Sequence, residues 1–260
     1  MERKVLEVPE LSLQQLNPST KNFNDPGVGG SKIVVIGKPG TGKSTLMKAL
    51  LKAKSFIPVS VIVSGSENAN KFYENFVPSS FIYNEYKPSI VQSVFQRQEL
   101  CLSMNVGNPW ISLILDDCMS DPSIFKSEVQ RRLFKNGRHY KIFYVVAMQY
   151  ALDIPPDLRS AVDGVFLFRE TNEATLKKLW QNYASVIPSF ELFANLMRQI
   201  TGDYTAMFVN NSLQTNEWKK CIFFIKADAV DEDFKLGYEE VWKFHEARFN
   251  KEYEKNIFFQ

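Results

Sequence analysis

Near its amino end the chain reads Ile33-Val34-Val35-Ile36-Gly37-Lys38-Pro39-Gly40-Thr41-Gly42-Lys43-Ser44, which predicts a strand, a glycine-rich loop and the start of a helix. Residues 37–44 match the phosphate-binding pattern G-x-x-x-x-G-K-[ST], between a β-branched run and an apolar helical pattern. Glycines let successive backbone N–H groups converge on a phosphate, and the N-terminus of the following helix adds its positive dipole. A turn that only joined a strand to a helix would need neither the lysine nor the hydroxyl at these offsets.

The residues of this P-loop have distinct expected roles toward ATP and Mg²⁺. Lys43 is expected to contact the β and γ phosphates as a catalytic charge, and the Ser44 hydroxyl is expected to be a Mg²⁺ ligand. Thr45 is a supporting neighbour. The predicted nucleotide-binding set is Gly37, Lys38, Pro39, Gly40, Thr41, Gly42, Lys43, Ser44 and Thr45.

A second acidic motif follows the apolar run Ile111–Leu115, where the chain continues with Asp116 and Asp117. We expect both carboxylates at the carboxyl edge of a buried strand beside the P-loop. Asp116 would hold Mg²⁺ through water, and Asp117 would orient or deprotonate the attacking water. An exchange of these two roles is equally compatible with the spacing, and the alternative to both is a turn that ends a strand.

Three further residues are candidates for catalysis. Gln149 follows the strand pattern 141–147, where its amide can reach the γ phosphate or the nucleophilic water. Arg138 belongs to the basic cluster 131–141, which favours either an arginine finger for a neighbouring subunit, a DNA phosphate contact or a solvated helix end. Arg159 is a second finger candidate.

The distribution of apolar runs predicts the fold class. Short β-branched or aromatic runs alternate with helical patterns, and they lie at residues 32–36, 59–63, 111–115, 141–147 and 165–168. Because these runs lack polar alternation, both faces of each strand should be buried. The sequence therefore predicts an α/β fold with a mostly parallel central sheet flanked by helices.

The chain divides into three segments by composition. Residues 1–30, rich in Pro, Asn, Ser and Gly, are expected to form an extended lead-in, and residues 31–226 to form the P-loop domain. Residues 227–260 are expected to be a helical tail packed on that domain.

Composition limits the classes of partner and compartment. The 31 Lys and Arg against 29 Asp and Glu give a net charge of +2, so any DNA contact requires a local basic patch. The three cysteines, Cys101, Cys118 and Cys221, form no CxxC pair, which argues against a disulfide framework or a zinc site and favours a reducing compartment. No secretory signal and no membrane span are expected, since no apolar run approaches the roughly 20 residues that cross a bilayer.

Taken together, the motifs resemble those of the DNA-packaging ATPases of large nucleocytoplasmic DNA viruses, of the poxvirus, iridovirus and chlorovirus type. The resemblance covers about residues 32–209 and rests on the P-loop, Asp116-Asp117, the turn Gly137-Arg138-His139, Gln149 and residues 158–160. That family belongs to the FtsK/HerA branch of P-loop motors. One departure is Asp117, since the wider superfamily commonly carries Asp-Glu here, and the shorter aspartate must reach further to act as the catalytic base.

The resemblance implies a function that composition does not show. It implies a homo-oligomeric ring that couples ATP hydrolysis to the movement of double-stranded viral DNA into a preformed capsid. A capsid or portal-vertex protein is then the expected partner, and host-cell cytoplasm at viral assembly sites, with association with the virion as a further option, is the expected location. No appended nuclease domain is evident, so cutting of the genome is assigned to another protein.

Two other functions fit a P-loop on a parallel sheet. One is a kinase of a nucleotide or small molecule, which the paired acids after Leu115 disfavour. The other is a capsid assembly factor that binds nucleotide with little hydrolysis, which the full set of loop and acidic residues disfavours. A GTPase is disfavoured because no Asn-Lys-x-Asp guanine motif occurs.

Overall fold

The computed structural model describes residues 7–118, 122–150, 153–227, 230 and 233–250. In this part of the chain one central sheet contains eight strands. They are β1 (Lys32–Ile36), β2 (Val59–Ser64), β3 (Ile82–Tyr83), β4 (Ile111–Asp116), β5 (Ile142–Met148), β6 (Gly164–Leu167), β7 (Thr205–Asn210) and β8 (Ile222–Lys226).

The strand order is β3-β2-β4-β5-β1-β6-β7-β8, which places β1 between β5 and β6. Strands β1 to β6 are parallel, whereas β7 and β8 complete the sheet as antiparallel strands. The predicted α/β class with a mostly parallel sheet is confirmed.

Helices cover both faces of the sheet. In the described residues they are α1 (Lys43–Ala53), α2 (Glu67–Asn70), α3 (Pro88–Ser103), α4 (Glu128–Asn136), α5 (Pro156–Arg159), α6 (Glu173–Tyr183), α7 (Phe190–Ile200), α8 (Trp218–Cys221) and α9 (Glu239–Arg248). Apolar residues of α1 join the core on one face, and those of α3, α4, α6 and α7 join the core on the other. Among these helices none is long and apolar enough to cross a bilayer.

Burial on both faces explains why the strands read as continuous apolar runs. Along β1, Val34 and Ile36 pack into one core cluster, and Ile33 and Val35 pack into the other. Successive side chains of a strand point to opposite faces, so a strand covered on both sides needs apolar residues at every position.

The segment before β1 packs on the domain, with extended backbone at Ser12 and Leu16. Leu11, Leu13 and Leu16 are buried, and residues Leu13–Gln15 form a short 3₁₀ turn. Burial of these leucines holds the segment against the α1 side of the sheet. Residues 1–6 of the predicted segment lie outside the described part.

The chain after β8 also returns to the domain within residues 233–250. Leu236 is buried, and the Trp242 indole N–H donates to its carbonyl oxygen at 2.8 Å. The helix in this region is α9, which is shorter than the 227–260 pattern, and residues 251–260 lie outside the description.

Candidate nucleotide-binding site

The P-loop lies at the carboxyl end of β1, in the middle of the sheet. Gly40 and Gly42 adopt positive φ angles of 77° and 102°, a region that favours glycine. Gly42 is the N-cap residue of α1, and the first turn of that helix contains no acidic side chain. The amide groups at this helix start are therefore left for an anion.

The loop lysine meets both predicted acids. The Lys43 Nζ atom lies 2.6 Å from Asp117 Oδ1 and 4.0 Å from Asp116 Oδ1. The side chains of Lys43 and Asp116 are 8% and 9% exposed, whereas that of Asp117 is 30% exposed. Asp117 is therefore the acid that remains accessible to water.

The two acids are not directly beside the P-loop strand, because β5 separates β4 from β1. In the sheet register Asp116 aligns with Ala147, and Ala147 aligns with Val35. The Lys43 side chain thus spans the end of β5 to reach Asp117. The acids therefore meet the P-loop through the Lys43 side chain and not through a neighbouring strand, and the roles expected for them stay predictions.

Gln149 occupies the gap between the loop and the acids. On one side the Gly37 N–H donates to the Met148 carbonyl oxygen at 3.2 Å, and on the other the Asp117 N–H donates to the Ala147 carbonyl oxygen at 3.2 Å. Gln149 follows directly and is exposed. Its backbone position suits the predicted contact with a γ phosphate, and that role stays a prediction.

Asp116 is a buried carboxylate, and one of its two oxygens accepts no hydrogen bond. Its Oδ2 atom accepts a 2.9 Å hydrogen bond from the buried Tyr73 hydroxyl, whereas Oδ1 is buried without a hydrogen-bond partner. Burial raises the pKa of the Asp116 carboxyl, the Lys43 ammonium opposes that rise, and Asp117 adds to it.

The unpaired Asp116 oxygen provides a test of whether Mg²⁺ fits. A hard cation takes oxygen ligands, and Asp116 Oδ1 accepts no hydrogen bond although the Lys43 ammonium lies 4.0 Å away. Ser44 follows Lys43 in the first turn of α1 and is exposed. In the described residues no cluster of three or more His, Cys, Asp and Glu side chains could hold a metal ion by itself. Asp116 and Ser44 therefore fit a Mg²⁺ ion that takes its remaining ligands from phosphate and water.

Sequence reasoning missed two residues at this edge of the sheet, Tyr73 and the Glu67 side chain that accepts from its backbone. Both Glu67 carboxylate oxygens accept the Tyr73 N–H, at 2.8 and 3.1 Å, and Oε1 also accepts the Glu74 N–H at 2.8 Å. Glu67 lies three residues beyond β2, at the same edge of the sheet as Asp116. The signal available in the sequence was an acidic residue soon after an apolar strand pattern.

The remaining loop residues stabilise its shape. The Thr41 hydroxyl donates to the Lys38 carbonyl oxygen at 2.7 Å, and the Lys38 ammonium contacts Glu170 at 2.7 Å. Pro39 is exposed, and Thr45 is half-buried in the first turn of α1.

The two arginines lie in different surroundings. Arg138 is exposed and precedes β5, at the sheet edge opposite the P-loop and about 20 Å away along the strand. It cannot reach phosphates bound by its own chain. The Arg159 guanidinium donates to the Ile154 carbonyl oxygen at 2.6 Å and to the Asn182 side chain, so it is anchored within the chain. The finger role of either arginine stays a prediction.

Comparisons with known proteins place the chain among viral proteins. It is 50% identical over 244 residues to the uncharacterised protein 075L of Invertebrate iridescent virus 6, covering 93% of this chain and 94% of that protein. It is 30% identical over 231 residues to the uncharacterised protein L437 of Acanthamoeba polyphaga mimivirus, covering 85% and 80%.

A solved structure with a similar fold is the genome packaging NTPase B204 from Sulfolobus turreted icosahedral virus 2, in complex with ATPγS. The TM-score is 0.53 at 16% identity, covering 75% of this chain and 96% of that one. At that identity the likeness concerns the fold, which is the P-loop NTPase fold that the sequence predicts. No protein-family profile matches the chain.

Proposed function

This chain belongs to the family of large-DNA-virus proteins that includes iridovirus 075L and mimivirus L437, and we propose that it is the ATPase that packages the viral genome. In this proposal it hydrolyses ATP with Mg²⁺ and moves double-stranded DNA into a preformed capsid. Its proposed partners are DNA, further copies of the chain in a ring, and a capsid or portal-vertex protein. Its proposed location is the viral assembly site in the host cytoplasm.

The observation that carries the proposal is the contact of Lys43 with Asp117 beside the unpaired oxygen of Asp116. Lys43 can pair with either Asp117 or a phosphate, because both are anions within reach of one ammonium group. When Lys43 pairs with phosphate, the Asp117 carboxylate is free to accept a proton from water. Bound Mg²⁺ would neutralise charge that develops on the phosphate oxygens.

Water activation also needs an accessible acid and a positioning group. Asp117 is held in a left-handed conformation, φ 49°, by its backbone hydrogen bond to Ala147. Gln149 stands next to it at the exposed end of β5 and would orient the nucleophile. Pairing of a buried, metal-binding acid with a more exposed, proton-accepting acid favours hydrolysis over simple nucleotide binding.

The experiment that tests the proposal is ATP turnover by the purified chain with and without long double-stranded DNA. Lys43→Ala measures contaminating activity, because it removes the phosphate contact. We expect DNA to stimulate turnover. ATP turnover that is unaffected by DNA and requires a small phosphate acceptor would support a kinase instead. Binding of ATP without turnover would support a capsid assembly factor.

A further inference from the structure

An open pocket adjoins the P-loop on the side away from the catalytic acids. It has a volume of about 390 Å³, and Gly40 and Thr41 of the loop line it together with Arg169, Asp203 and Tyr204. That volume lies within the usual range for small-molecule sites. The acids Asp116 and Asp117 lie across β5, whereas this pocket lies toward β6 and β7.

The position of the acids fixes the direction in which a nucleotide must lie. Asp117 can act only on the terminal phosphate, so that phosphate belongs on the β5 side of the loop. The phosphates of the nucleotide form a linear chain along the loop. If the terminal phosphate lies on the β5 side, the nucleoside lies on the β6 side, where the pocket opens.

Tyr204 is the aromatic side chain in that pocket, and it contacts the loop closely. A Cβ atom added at Gly42 would lie 3.1 Å from Tyr204 Cβ and 3.3 Å from its Cδ1 atom. The tyrosine is nevertheless 57% exposed. One part of the side chain therefore packs on the P-loop while the rest of the ring stays open.

The turn that carries Tyr204 has an unusual backbone. Asp203 and Tyr204 both adopt the left-handed region, with φ of 48° and 60°, although neither is glycine. The turn is fixed by the Thr205 N–H donating to Gly202 at 2.9 Å, by Ala227 N–H donating to Tyr204 at 3.0 Å, and by Lys226 contacting Asp203 at 3.0 Å. Such strain persists where surrounding contacts impose it, and it clusters at ligand sites.

We propose that Tyr204 is the surface on which the base of the bound nucleotide stacks. The inference rests on the proposed function, since it assumes that the P-loop binds a nucleoside triphosphate. An aromatic ring stacks on any base, because every base has a π face. Tyr204 therefore contributes affinity for the nucleoside without selecting adenine over guanine.

The test compares binding of a non-hydrolysable ATP analogue and of inorganic tripolyphosphate to the full chain with Mg²⁺, by calorimetry. Tyr204→Ala should weaken the ATP analogue about tenfold or more and leave tripolyphosphate unchanged. Tyr204→Phe should bind as the wild type does, and the corresponding GTP analogue should lose affinity to the same extent in Tyr204→Ala. Tyr83→Ala, on the edge strand β3, is the control for loss of an exposed tyrosine.

Two results would overturn the stacking role. If Tyr204→Ala binds the ATP analogue with unchanged affinity, Tyr204 does not stack on the base. If Tyr204→Ala loses affinity equally for the ATP analogue and for tripolyphosphate, Tyr204 only supports the loop. Failure of the proposed function looks different, because a wild-type chain that binds neither ligand overturns the nucleotide site and the Tyr204 subsite together.

Discussion

The ion pair between Lys43 and Asp117 links binding to catalysis in a single contact of 2.6 Å. Lys43 is buried at the start of α1, and its ammonium needs an anionic partner there. Because Lys43 reaches across the end of β5, its ammonium can pair either with the Asp117 carboxylate or with a phosphate. The Asp117 carboxylate lies where water can reach it.

The first prediction concerns Asp117→Asn. Loss of the proton acceptor should lower ATP turnover by about 10² to 10⁴, the usual contribution of general base catalysis. ATP binding should be retained, since Lys43 would no longer be paired with a competing carboxylate. Turnover and calorimetric affinity measured on the same preparation would check this, and equal losses in both would contradict the assigned role.

The second prediction concerns Asp116→Asn and pH. Burial raises the pKa of the Asp116 carboxyl above its unfolded value of about 3.9, despite the opposing effect of Lys43. The folded state therefore binds the Asp116 proton more tightly than the unfolded state does. The free energy of unfolding is highest below the unfolded pKa, and it falls as pH rises from the unfolded to the folded pKa.

Asp116→Asn removes the buried charge that lowers stability at neutral pH. Without ligands, the variant should therefore have a higher melting temperature than the wild type at neutral pH. The same variant should lose Mg²⁺-dependent turnover. Thermal unfolding from pH 4 to pH 8 checks the sign. A variant that melts lower than the wild type at neutral pH would contradict the account. Asp117→Asn, at the more exposed acid, is the matched control.

At the scale of elements, α1 connects the P-loop to the segment that precedes β1. The buried Lys54, at the end of α1, donates from Nζ to the carbonyl oxygens of Leu13, Leu16 and Pro18 at 3.0, 2.5 and 2.8 Å. A helix that begins at the P-loop thus ends at a lysine that binds the segment before β1.

The third prediction is that Lys54→Met destabilises the chain by about 1–3 kcal/mol, because three buried carbonyl oxygens lose their donor. Amide hydrogen exchange in residues 11–16 should rise more than in the central strands. Lys243→Met, at a side chain that is 67% exposed, should change stability by less than about 0.5 kcal/mol. Unaltered exchange in residues 11–16 would show that the three hydrogen bonds from Lys54 do not hold this segment in place.

The elements also show what the sequence can and cannot predict. Strands such as β1 and β5 were predictable because burial on both faces demands a continuous apolar run. The insertion of β5 between β1 and β4 was not, since pairing order depends on contacts between distant segments. The P-loop is one contiguous motif, whereas Tyr73 and Tyr204 reach the site from separate segments and follow no spacing rule.

At the scale of the whole molecule, Arg138 lies at the sheet edge opposite its own P-loop. It is exposed, and the nearby Lys135 is exposed as well. This exposed edge suits a neighbouring subunit or DNA, which are two of the three interpretations of the basic cluster, and the third is a solvated helix end.

The fourth prediction is that Arg138→Ala loses DNA-stimulated turnover. If Arg138 is a finger, basal turnover also falls, by about 10³ to 10⁵, and mixing this variant with inactive Lys43→Ala restores activity, because an intact arginine then faces an intact loop. If Arg138 contacts DNA, basal turnover stays and only the stimulation is lost. Full stimulation of the variant would exclude both roles.

The proposed function requires that ATP hydrolysis drives movement along double-stranded DNA. Its most direct measurement is displacement of a short third strand from a long duplex by the purified wild-type chain, with Lys43→Ala and Asp117→Asn as controls. We expect displacement that requires ATP and Mg²⁺ and is absent in both variants. DNA-stimulated hydrolysis without displacement, or displacement by either variant, would contradict it.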